Sequence, residues 1–458
     1  MSSYRLPYGH TELTVTLPGD AAVTVLAPRP VAPAADEATL VAEALARAPL
    51  PAGQAAGWGP QATGWGSQAA AWGSRRCAIA VNDKTRPVPH GVLLPPLLAR
   101  LEAAGYAPDS VTLLIATGAH APMPRDEFGQ VIPPEILARY TVISNDADDP
   151  AGLVHLGQTT RGAPVWANRR FVEADLRIVV GDIEPHQFQG FSGGVKSAAI
   201  GLAGKATISA NHAMMTDPAA QIGRYDDNPC RQDVEEIGRM MGVDYALNAI
   251  LDEERRIIHV LAGDPVDVMR AGVPLVRDIY QVPVAEPFDL VIASPGGHPK
   301  DINLYQAQKA LAHAALVTRD RGAVIVAAAC PEGAGSRGYE RWMDDPRMTS
   351  HEAVLARYAG EGFRIGPHKA YLLSRDAQRV HLTFVTEMAP DLAARYLLNP
   401  AATRPGMAAQ DQLAAALAGV LPGLAHRPGS PVRQFRIGVM PWANATIPVL
   451  AAPGHARP

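Results

Sequence analysis

The stretch Leu176–His212, LRIVVGDIEPHQFQGFSGGVKSAAIGLAGKATISANH, joins a largely apolar run to a glycine-rich loop and then to a helical pattern. Its first six residues are typical of a strand that is buried on both faces of a parallel sheet. Asp182, Glu184 and His186 follow directly after that strand. Because ligands of α/β proteins gather beyond the carboxyl ends of the strands, this stretch predicts both the fold class and the position of a site.

The same pattern, a short apolar run followed by a helical segment, recurs along the chain. Further strands are predicted at 77–81, 111–117, 140–144, 289–294, 323–329 and 381–386. Helical patterns lie between them, for example at 93–104, where the helix is expected to begin after two prolines, and at 306–317. The sequence therefore predicts an α/β protein with two α/β domains and largely parallel sheets.

The length of the chain, 458 residues, exceeds the size at which one hydrophobic core usually stops growing. We place the boundary just before the strand at 289–294. Residues 1–282 then form an N-terminal domain, and residues 283–458 form a C-terminal α/β domain. The C-terminal segment is expected to pack back on the first domain.

Residues 51–74 contain three copies of a seven-residue unit, QAAGWGP, QATGWGS and QAAAWGS, each with one tryptophan. A seven-residue period can indicate a coiled coil, but glycines break helices and the repeat has no charged positions. We interpret this segment as a mobile surface insertion, with packing on a partner as the alternative.

The composition excludes several classes of protein. Lysine and arginine total 41 against 45 acidic residues, a net charge of -4, so the basic excess of a nucleic-acid-binding protein is missing. No apolar run reaches the roughly 18 residues that span a bilayer, and no charged leader precedes an apolar stretch at the N-terminus. The three cysteines lie far apart and form no CxxC pair. We therefore expect a cytoplasmic enzyme without a membrane or nucleic-acid partner, and a homo-oligomer is compatible with the sequence.

Four predicted strands end in residues suited to chemistry, at Asn82–Pro87, Gly118–His120, Asp182–His186 and Pro295–Asp301. A single histidine at a strand end is more often a capping or surface residue than a catalytic one. Several such loops with complementary side chains favour a shared cleft instead, because the carboxyl ends of parallel strands meet at one edge of a sheet.

The loop Gly190–Ser197, GFSGGVKS, has the composition of a phosphate-binding loop. Glycines let the backbone approach an anion, and successive N–H groups before a helix can hold a phosphate. Val195 stands where a Walker A motif has glycine, so a mononucleotide phosphate fits better than a hydrolysed triphosphate. A tight turn that packs a helix on the sheet explains the same residues equally well.

Two further features are ambiguous in isolation. His212 has no HExxH or His-x-His partner nearby, so it is either a core or surface histidine or a metal ligand whose companions come from a cofactor. Tyr305 and Lys309 share one helix face, and Lys309 with Arg86 provides positive charge for a carboxylate. A solvated helix face is the alternative for that run.

Taken together, these segments resemble the lactate racemase family, whose enzymes use a nickel-pincer nucleotide. The matching stretches, which run between about Tyr8 and Leu450, are NDKTRP at Asn82, ATGAH at Ala116, GDIEPHQFQGFSGGVK at Gly181, NH at Asn211 and SPGGHPKDINLYQAQKA at Ser294, with weaker matches GPHKA at Gly366 and TIPVL at Thr446. The cofactor of that family is a thiolated pyridinium mononucleotide that binds nickel, and separate maturation enzymes make it. The protein is therefore without its cofactor where they are missing.

The resemblance implies that residues 1–282 form the catalytic and cofactor-binding domain and that a cofactor and substrate cleft lies between the two α/β domains. It also implies a role for each matching residue. His212 is the nickel ligand, and Lys196 is a lysine that can be tethered covalently to the cofactor. His120 and His186 are the acid/base pair. The loop residues Ser192, Gly193 and Gly194, with Asp83, bind the cofactor, and the substrate is bound by Arg86, Tyr305, Gln306 and Lys309.

The implied reaction is inversion of the C2 centre of a 2-hydroxy acid by reversible hydride transfer, which avoids a carbanion beside a carboxylate. Two histidines suit the task because imidazole, with a pKa near 6.5, exchanges protons at neutral pH and the hydroxyl lies on opposite sides in the two enantiomers. Ala121–Pro124 follows His120 where many relatives have a polar residue, so the substrate is lactate or a larger analogue. The alternatives are a zinc hydrolase that uses His120, His186 and His212, and a non-catalytic protein that binds a phosphate or nucleotide.

Overall fold

The computed structural model describes residues 2–19, 21–51, 75–86, 88–401, 404–425 and 435–451. The chain divides into two compact units, one formed by Pro30–Asp278 and the other by the described residues of Met1–Arg29 and Ile279–Pro458. The strands of the described residues are β1 (Ser2–Tyr8), β2 (Thr11–Leu17), β3 (Ala22–Val25), β4 (Cys77–Asn82), β5 (Val111–Ala116), β6 (Thr141–Ser144), β7 (Leu153–Gln158), β8 (Pro164–Asn168), β9 (Leu176–Asp182), β10 (Pro185–His186), β11 (Gly190–Phe191), β12 (Tyr245–Leu251), β13 (Ile257–Gly263), β14 (Gln281–Val284), β15 (Phe288–Ala293), β16 (Thr318–Ala327), β17 (His381–Val385), β18 (Arg436–Met440) and β19 (Ile447–Leu450).

Helices alternate with these strands. Over the same residues they are α1 (Glu37–Arg47), α2 (His90–Ala103), α3 (Pro134–Leu137), α4 (Arg169–Val172), α5 (Lys196–Ala199), α6 (Lys205–Ala213), α7 (Pro229–Met240), α8 (Pro265–Tyr280), α9 (Leu304–Val317), α10 (Arg337–Met343), α11 (His351–Glu361), α12 (Pro367–Ala377), α13 (Pro390–Arg395) and α14 (Ala409–Ala425). Short 3-10 helices lie at Pro108–Ser110, Arg125–Gln130 and Met214–Thr216.

The main sheet of the Pro30–Asp278 unit has the strand order β13-β12-β9-β4-β5-β6. Its strands run parallel except β13, which pairs with β12 in the antiparallel direction. All six residues of β4 are buried, as the continuous apolar run predicts for a strand covered on both faces. Because β4 lies between β9 and β5, the loops that follow these three strands leave the sheet side by side.

The second unit contains a parallel sheet with the order β17-β16-β15-β18-β3. Its edge strand β3 comes from the N-terminal part of the chain and pairs with β18, Val23 opposite Ile437. The prediction of an α/β protein with two units and largely parallel sheets is confirmed. The described residues of 1–29, which the sequence places in the N-terminal domain, group with the second unit instead. Strand pairing between such distant residues leaves no local pattern from which this grouping could be predicted.

Helix α2 begins earlier than the sequence predicted, at His90, and contains Pro95 and Pro96 in its interior. Proline removes a backbone hydrogen bond from a helix, which is why the helix was expected to begin after both. Five leucines of α2 are buried at 3% exposure or less, at positions 93, 94, 97, 98 and 101. Their burial stabilises each side chain by about 1.5–3 kcal/mol, which outweighs the lost hydrogen bonds.

Two sequence expectations concern other parts of the chain. Residues 52–74, which hold the three tryptophan-glycine units, lie outside the described residues, so their interpretation stays a prediction. Over the residues that the structure describes, no helix is both long and apolar enough to cross a membrane.

Candidate active site

Three of the four strand-end loops meet at the carboxyl edge of the main sheet. The end of β4 contacts the end of β9, where Asn82 Nδ2 donates to Asp182 Oδ1 at 3.3 Å. Ser197 Oγ donates to Asn82 Oδ1 at 3.0 Å, which brings the glycine-rich loop to the same edge. The predicted convergence of these loops therefore follows from the strand order. The fourth loop, Pro295–Asp301, belongs to the other unit.

His120 is paired with a buried carboxylate. Its Nδ1 lies 2.8 Å from Oδ2 of Asp83, and Thr85 donates to the other carboxylate oxygen from both Oγ1 (2.7 Å) and its backbone N (3.2 Å). Burial by itself raises the pKa of Asp83, but the hydrogen bonds from His120 and Thr85 and the charge of Arg86 outweigh it and lower that pKa. The carboxyl group is therefore ionised and orients the His120 ring.

Arg86 lies on the same loop, and its Nη1 is 3.5 Å from Oε1 of Glu184. Both side chains are about one-third exposed, so this ion pair is weak and long. An incoming carboxylate can compete for the guanidinium, since a bidentate contact is stronger than a single long one.

His186 sits in a tight hairpin between β10 and β11, where it pairs with Gly190. The ring is buried, and the backbone N–H of Gln189 donates to its Nδ1 at 3.2 Å. The Phe188 ring makes edge-to-face contacts with both His186 and His212. Its centroid lies 4.9 Å from that of His186 and 5.0 Å from that of His212. One phenylalanine thus connects the two histidines that the sequence assigned to proton transfer and to nickel.

The glycines of the predicted phosphate loop are required by packing. Gly190 has φ 73° and Gly193 has φ 85°, a backbone region that residues with a side chain rarely adopt. A Cβ on Gly190 would lie 1.7 Å from the carbonyl oxygen of Arg224, and one on Gly193 would lie 2.7 Å from Ile183 Cγ1. The structural interpretation of this loop, a turn that packs closely, therefore has direct geometric support.

The same loop keeps polar groups available for a ligand. The N–H of Gly194 is used by Asn248 Oδ1 at 2.7 Å. Over the described part of the chain, however, the N–H groups of Gly193 and Val195 have no acceptor. The buried hydroxyl of Ser192 likewise has no partner there. Two amides and one hydroxyl of this loop thus lack a partner, so the packing role and a phosphate-binding role are compatible.

Gly190→Ala is expected to lower the free energy of unfolding by about 3 kcal/mol, because it adds a backbone clash to the cost of a left-handed residue. Gly162→Ala is the matched control, since Gly162 has φ 81° but open space where a Cβ would lie, and should cost about 1 kcal/mol. Urea unfolding of both variants measures the difference. Equal losses would contradict the packing role of Gly190.

Lys196 begins α5 and is buried, at 8% exposure. Burial lowers the pKa of its amine well below the ordinary value, and the positive charges of Arg86 and Arg231 lower it further. The carboxylates of Glu184 and Asp182 act in the opposite direction. A lowered pKa increases the fraction of neutral, nucleophilic amine, so Lys196 is better suited to covalent attachment to an electrophilic carbon than an exposed lysine is.

Lys196→Met is expected to raise the free energy of unfolding at pH 7. Between the lowered pKa and the ordinary value of 10.5, the unfolded chain binds more protons than the folded chain, so the stability of the unsubstituted protein rises with pH. The gain from the substitution should therefore shrink as the pH rises from 7 towards 10. Urea titrations across that range measure it, and Lys205→Met, whose side chain is 56% exposed, should change stability little at pH 7–9. A gain for Lys196→Met that grows with pH would contradict the lowered pKa.

Arg231, which sequence reasoning missed, lies in α7 and is fully buried beneath the glycine-rich loop. Its guanidinium donates to the carbonyl oxygens of Phe191 and Gly193 at 3.2 Å and to Glu235 at 2.5 Å. It also stacks over Tyr225, 5.1 Å from the ring centroid. Arg231 thus fixes the loop from below.

His212 lies near the end of α6, and its Nδ1 is 3.2 Å from Oδ1 of Asn211. The amide oxygen can only accept, so Nδ1 carries the proton and Nε2 is the acceptor nitrogen. Asn211 is fixed because its Oδ1 also accepts from Gln189 Nε2 at 2.8 Å and its Nδ2 donates to Asp233 at 3.0 Å. A histidine held through one nitrogen by a buried hydrogen-bonded partner has the arrangement of a metal ligand.

The alternative of a shared zinc site needs His120, His186 and His212 to converge. Over the residues that the structure describes, no group of three or more histidine, cysteine, aspartate or glutamate side chains is arranged to hold a metal ion. The geometry therefore gives the zinc hydrolase no support. His212 alone can still supply one ligand to a metal whose other ligands come from a bound group.

The remaining predicted residues lie on α9, in the other unit. Lys309 Nζ donates to Gln306 Oε1 at 2.7 Å, and Asn303 caps the helix through the backbone N of Gln306. Tyr305 and Lys309 are both half-buried, and Lys369 Nζ lies 4.8 Å from the centroid of the Tyr305 ring. The face that they share is therefore not fully solvated. Sequence reasoning missed Lys369, although it lies in the GPHKA match.

One turn further along the same face lies His313. It is buried, and burial lowers its pKa to about 4, with the positive charges of Lys309 and Lys369 adding to the effect. Two lysines therefore lie close to one buried imidazole. This part of the second unit concentrates positive charge, as an anion-binding surface does.

Comparison with known proteins agrees with this distribution of residues. The model of the lactate racemase N-terminal domain matches residues 8–223, and that of the lactate racemase C-terminal domain matches residues 284–403. The chain belongs to the lactate racemase family. The N-terminal match includes His120, His186, Lys196 and His212, and the C-terminal match includes Tyr305, Gln306 and Lys309.

Individual members of the lactate racemase family are similar to the chain over much of their length. The chain is 33% identical over 282 residues to lactate racemase of Lactiplantibacillus plantarum, covering 60% of this chain and 66% of that protein. It is 32% identical over 275 residues to lactate racemase of Thermoanaerobacterium thermosaccharolyticum, covering 60% and 64%. The solved structure of the latter's apoprotein superposes with a TM-score of 0.83 at 26% identity, covering 98% of this chain and all of that one. The sequence alignments thus span slightly less than two thirds of the curated relatives.

The lactate racemase family matches leave out the segment between residues 223 and 284. Arg231 and Asn248, which hold the glycine-rich loop from α7 and β12, lie in that segment. The site residues that were assigned by resemblance are therefore supported by residues that lie outside the two family matches.

Proposed function

We propose that the chain is a racemase or epimerase that inverts the C2 centre of a 2-hydroxy acid. Membership of the lactate racemase family supports the reaction class. The observation that carries the proposal is the hydrogen bond between His120 Nδ1 and the buried Asp83 carboxylate at 2.8 Å, next to the loop of His186. A carboxylate-supported imidazole at a strand end is a general base, which a binding protein does not need.

The proposed cofactor is a nickel-pincer nucleotide, which accepts and returns a hydride when it is bound. The residues present fit such a group. The unpartnered Ser192 hydroxyl and the unpaired amides of Gly193 and Val195 suit its phosphate. Gly194 and Asp83 are the further cofactor-binding residues that the family resemblance implies. The buried amine of Lys196 suits covalent attachment, and the oriented His212 suits one nickel ligand.

The protein residues carry out binding and proton transfer in this proposal. Arg86, Tyr305, Gln306 and Lys309 bind the carboxylate and hydroxyl of the substrate, which orients C2 and holds the carboxylate while the carbonyl group turns over. His120 and His186 exchange the hydroxyl proton, one for each enantiomer. The substrate class is lactate or a larger 2-hydroxy acid such as malate, an aryl lactate or a sugar acid.

The test is expression of the full chain together with cofactor-maturation enzymes, followed by metal analysis and chiral chromatography against a panel of 2-hydroxy acids. We expect roughly one nickel per chain and racemisation of at least one acid. His186→Ala should abolish racemisation while the cofactor stays bound, because the residue acts on the substrate proton. The proposal would be wrong if the protein contained zinc in place of nickel, or if the nickel-loaded protein inverted none of the acids.

A further inference from the structure

We propose that the two histidines of the acid/base pair are held in opposite tautomers. In the resting protein His120 presents a lone pair at Nε2, whereas His186 presents a proton at Nε2. The assignment of tautomers stands on the geometry of the chain alone, and its consequence for the reaction rests on the proposed function.

The tautomer of His120 is set by Asp83. The carboxylate oxygen 2.8 Å from Nδ1 can only accept, so the proton of the neutral ring is on Nδ1. Thr85 donates to the other carboxylate oxygen from its hydroxyl and its backbone N–H, which keeps the carboxylate facing the ring. Asp83 is buried, with 5% of its side chain exposed, so water does not compete for this contact.

The tautomer of His186 is set by a backbone group. The N–H of Gln189 lies 3.2 Å from Nδ1 and can only donate, so Nδ1 must hold a lone pair. The proton of the neutral His186 ring is therefore on Nε2. Nothing in the spacing of the two histidines along the sequence indicates this difference, because it depends on which backbone atom the hairpin turns towards the ring.

The backbone N–H of Gln189 cannot easily turn away from the His186 ring. The Gln189 side chain donates to Asn211 Oδ1 at 2.8 Å, and Asn211 in turn donates to the carbonyl oxygen of Cys230 at 2.9 Å and to Asp233 at 3.0 Å. Gln189, Asn211 and Asp233 are all fully buried. The chain Asp233–Asn211–Gln189 is therefore a positioning network for His186, and through Asn211 for His212 as well.

The consequence is that the two enantiomers meet unequal proton acceptors. When the hydroxyl faces His120, its O–H bond breaks, the electron pair stays on oxygen, and the proton forms an N–H bond at Nε2. The resulting imidazolium faces the Asp83 carboxylate. When the hydroxyl faces His186, Nε2 already carries a proton, so the ring must break the hydrogen bond from Gln189 and turn its Nδ1 lone pair towards the hydroxyl. The O–H bond then breaks, the electron pair stays on oxygen, and the proton forms an N–H bond at Nδ1. The lost hydrogen bond slows this transfer by about tenfold.

Nuclear magnetic resonance of the full-length apoprotein tests the tautomers without any cofactor. Ring nitrogens of the 14 histidines are labelled with 15N, and two-bond 1H–15N correlations distinguish protonated from unprotonated nitrogens. His120→Gln and His186→Gln assign the two residues. We expect a protonated Nδ1 in His120 and a protonated Nε2 in His186. A protonated Nδ1 in His186, or an averaged pattern, would overturn the proposal.

The chain contains two internal standards. Nδ1 of His90 lies 3.2 Å from the carbonyl oxygen of Val131, and Nδ1 of His313 lies 2.5 Å from that of Ala443. A carbonyl only accepts, so both rings must match the pattern of His120 and differ from that of His186. Their spectra also report whether each variant is folded.

A kinetic experiment tests the consequence. Glutamine places a donor near the Nε2 position of histidine but cannot accept a proton there. In single turnovers of the loaded enzyme, His186→Gln should oxidise one enantiomer at nearly the unsubstituted rate. His120→Gln should oxidise the other at least about tenfold more slowly than that. Equal residual rates would overturn the asymmetry. A protein that acts on no 2-hydroxy acid, yet shows the two tautomers, would refute the proposed function alone.

Discussion

Asp83→Asn is expected to reduce racemisation by about 10²–10⁴-fold, the range that a positioned base contributes. The asparagine amide can turn its N–H towards Nδ1 of His120, which would move the ring proton to Nε2, where the substrate proton must be received. It also removes the negative charge that stabilises the imidazolium, since the carboxylate lies 2.8 Å from the ring. Initial rates by chiral chromatography of the loaded enzyme measure the loss.

Asp252→Asn is the matched control for Asp83→Asn. Asp252 is likewise a largely buried carboxylate, but its partner is Arg256 rather than a histidine, and it lies in the turn between β12 and β13. Its substitution should leave racemisation within about twofold of the unsubstituted protein. If Asp83→Asn keeps more than a tenth of the activity, the carboxylate does not support the base.

Arg231→Met is expected to lower the free energy of unfolding by about 3–5 kcal/mol, because breaking a buried pair leaves a charge without its partner. The guanidinium is 1% exposed, and its loss strips hydrogen bonds from Glu235 and from the carbonyl oxygens of Phe191 and Gly193. Urea unfolding monitored by circular dichroism measures the change. The double variant Arg231→Met/Glu235→Gln should recover part of it, since it no longer buries an unpaired carboxylate.

The control for this prediction is Arg256→Met, which removes a similar arginine–carboxylate pair whose arginine side chain is 62% exposed. Exposed pairs contribute little to stability, so the unfolding midpoint should hardly move. Equal shifts for the two arginine variants would mean that the contacts of Arg231 with the loop do not stabilise the protein.

Local pattern was sufficient to predict the strands that carry the site. The run Leu176–Asp182 forms β9, and the polar residues after it lie at the sheet edge, because a buried parallel strand requires apolar residues and its end does not. His120 could be placed in the site because β5 is equally apolar. The residues that follow such strands can therefore be predicted from the sequence.

The residues that orient the site could not be predicted from the sequence in the same way. Arg231 lies 38 residues beyond Gly193, and only the packing of α7 brings it under the loop. The sequence shows that Asn211 precedes His212, but the hydrogen bond between Asn211 and Gln189 depends on the fold. The N–H of Gln189 carries no sequence signal at all, since every residue except proline has one.

The pairing of β3 with β18 also has a consequence for the order of folding. β18 lies between β15 and β3, so β3 can join the sheet only after β18, near the C-terminal end of the chain, has been made. The Pro30–Asp278 unit is inserted between these two partners and contains its own sheet and core. During synthesis the loops of Asp83, His120 and His186 can therefore be complete while the second unit is still unfinished, and we expect closure of that long-range pairing to be the slow step.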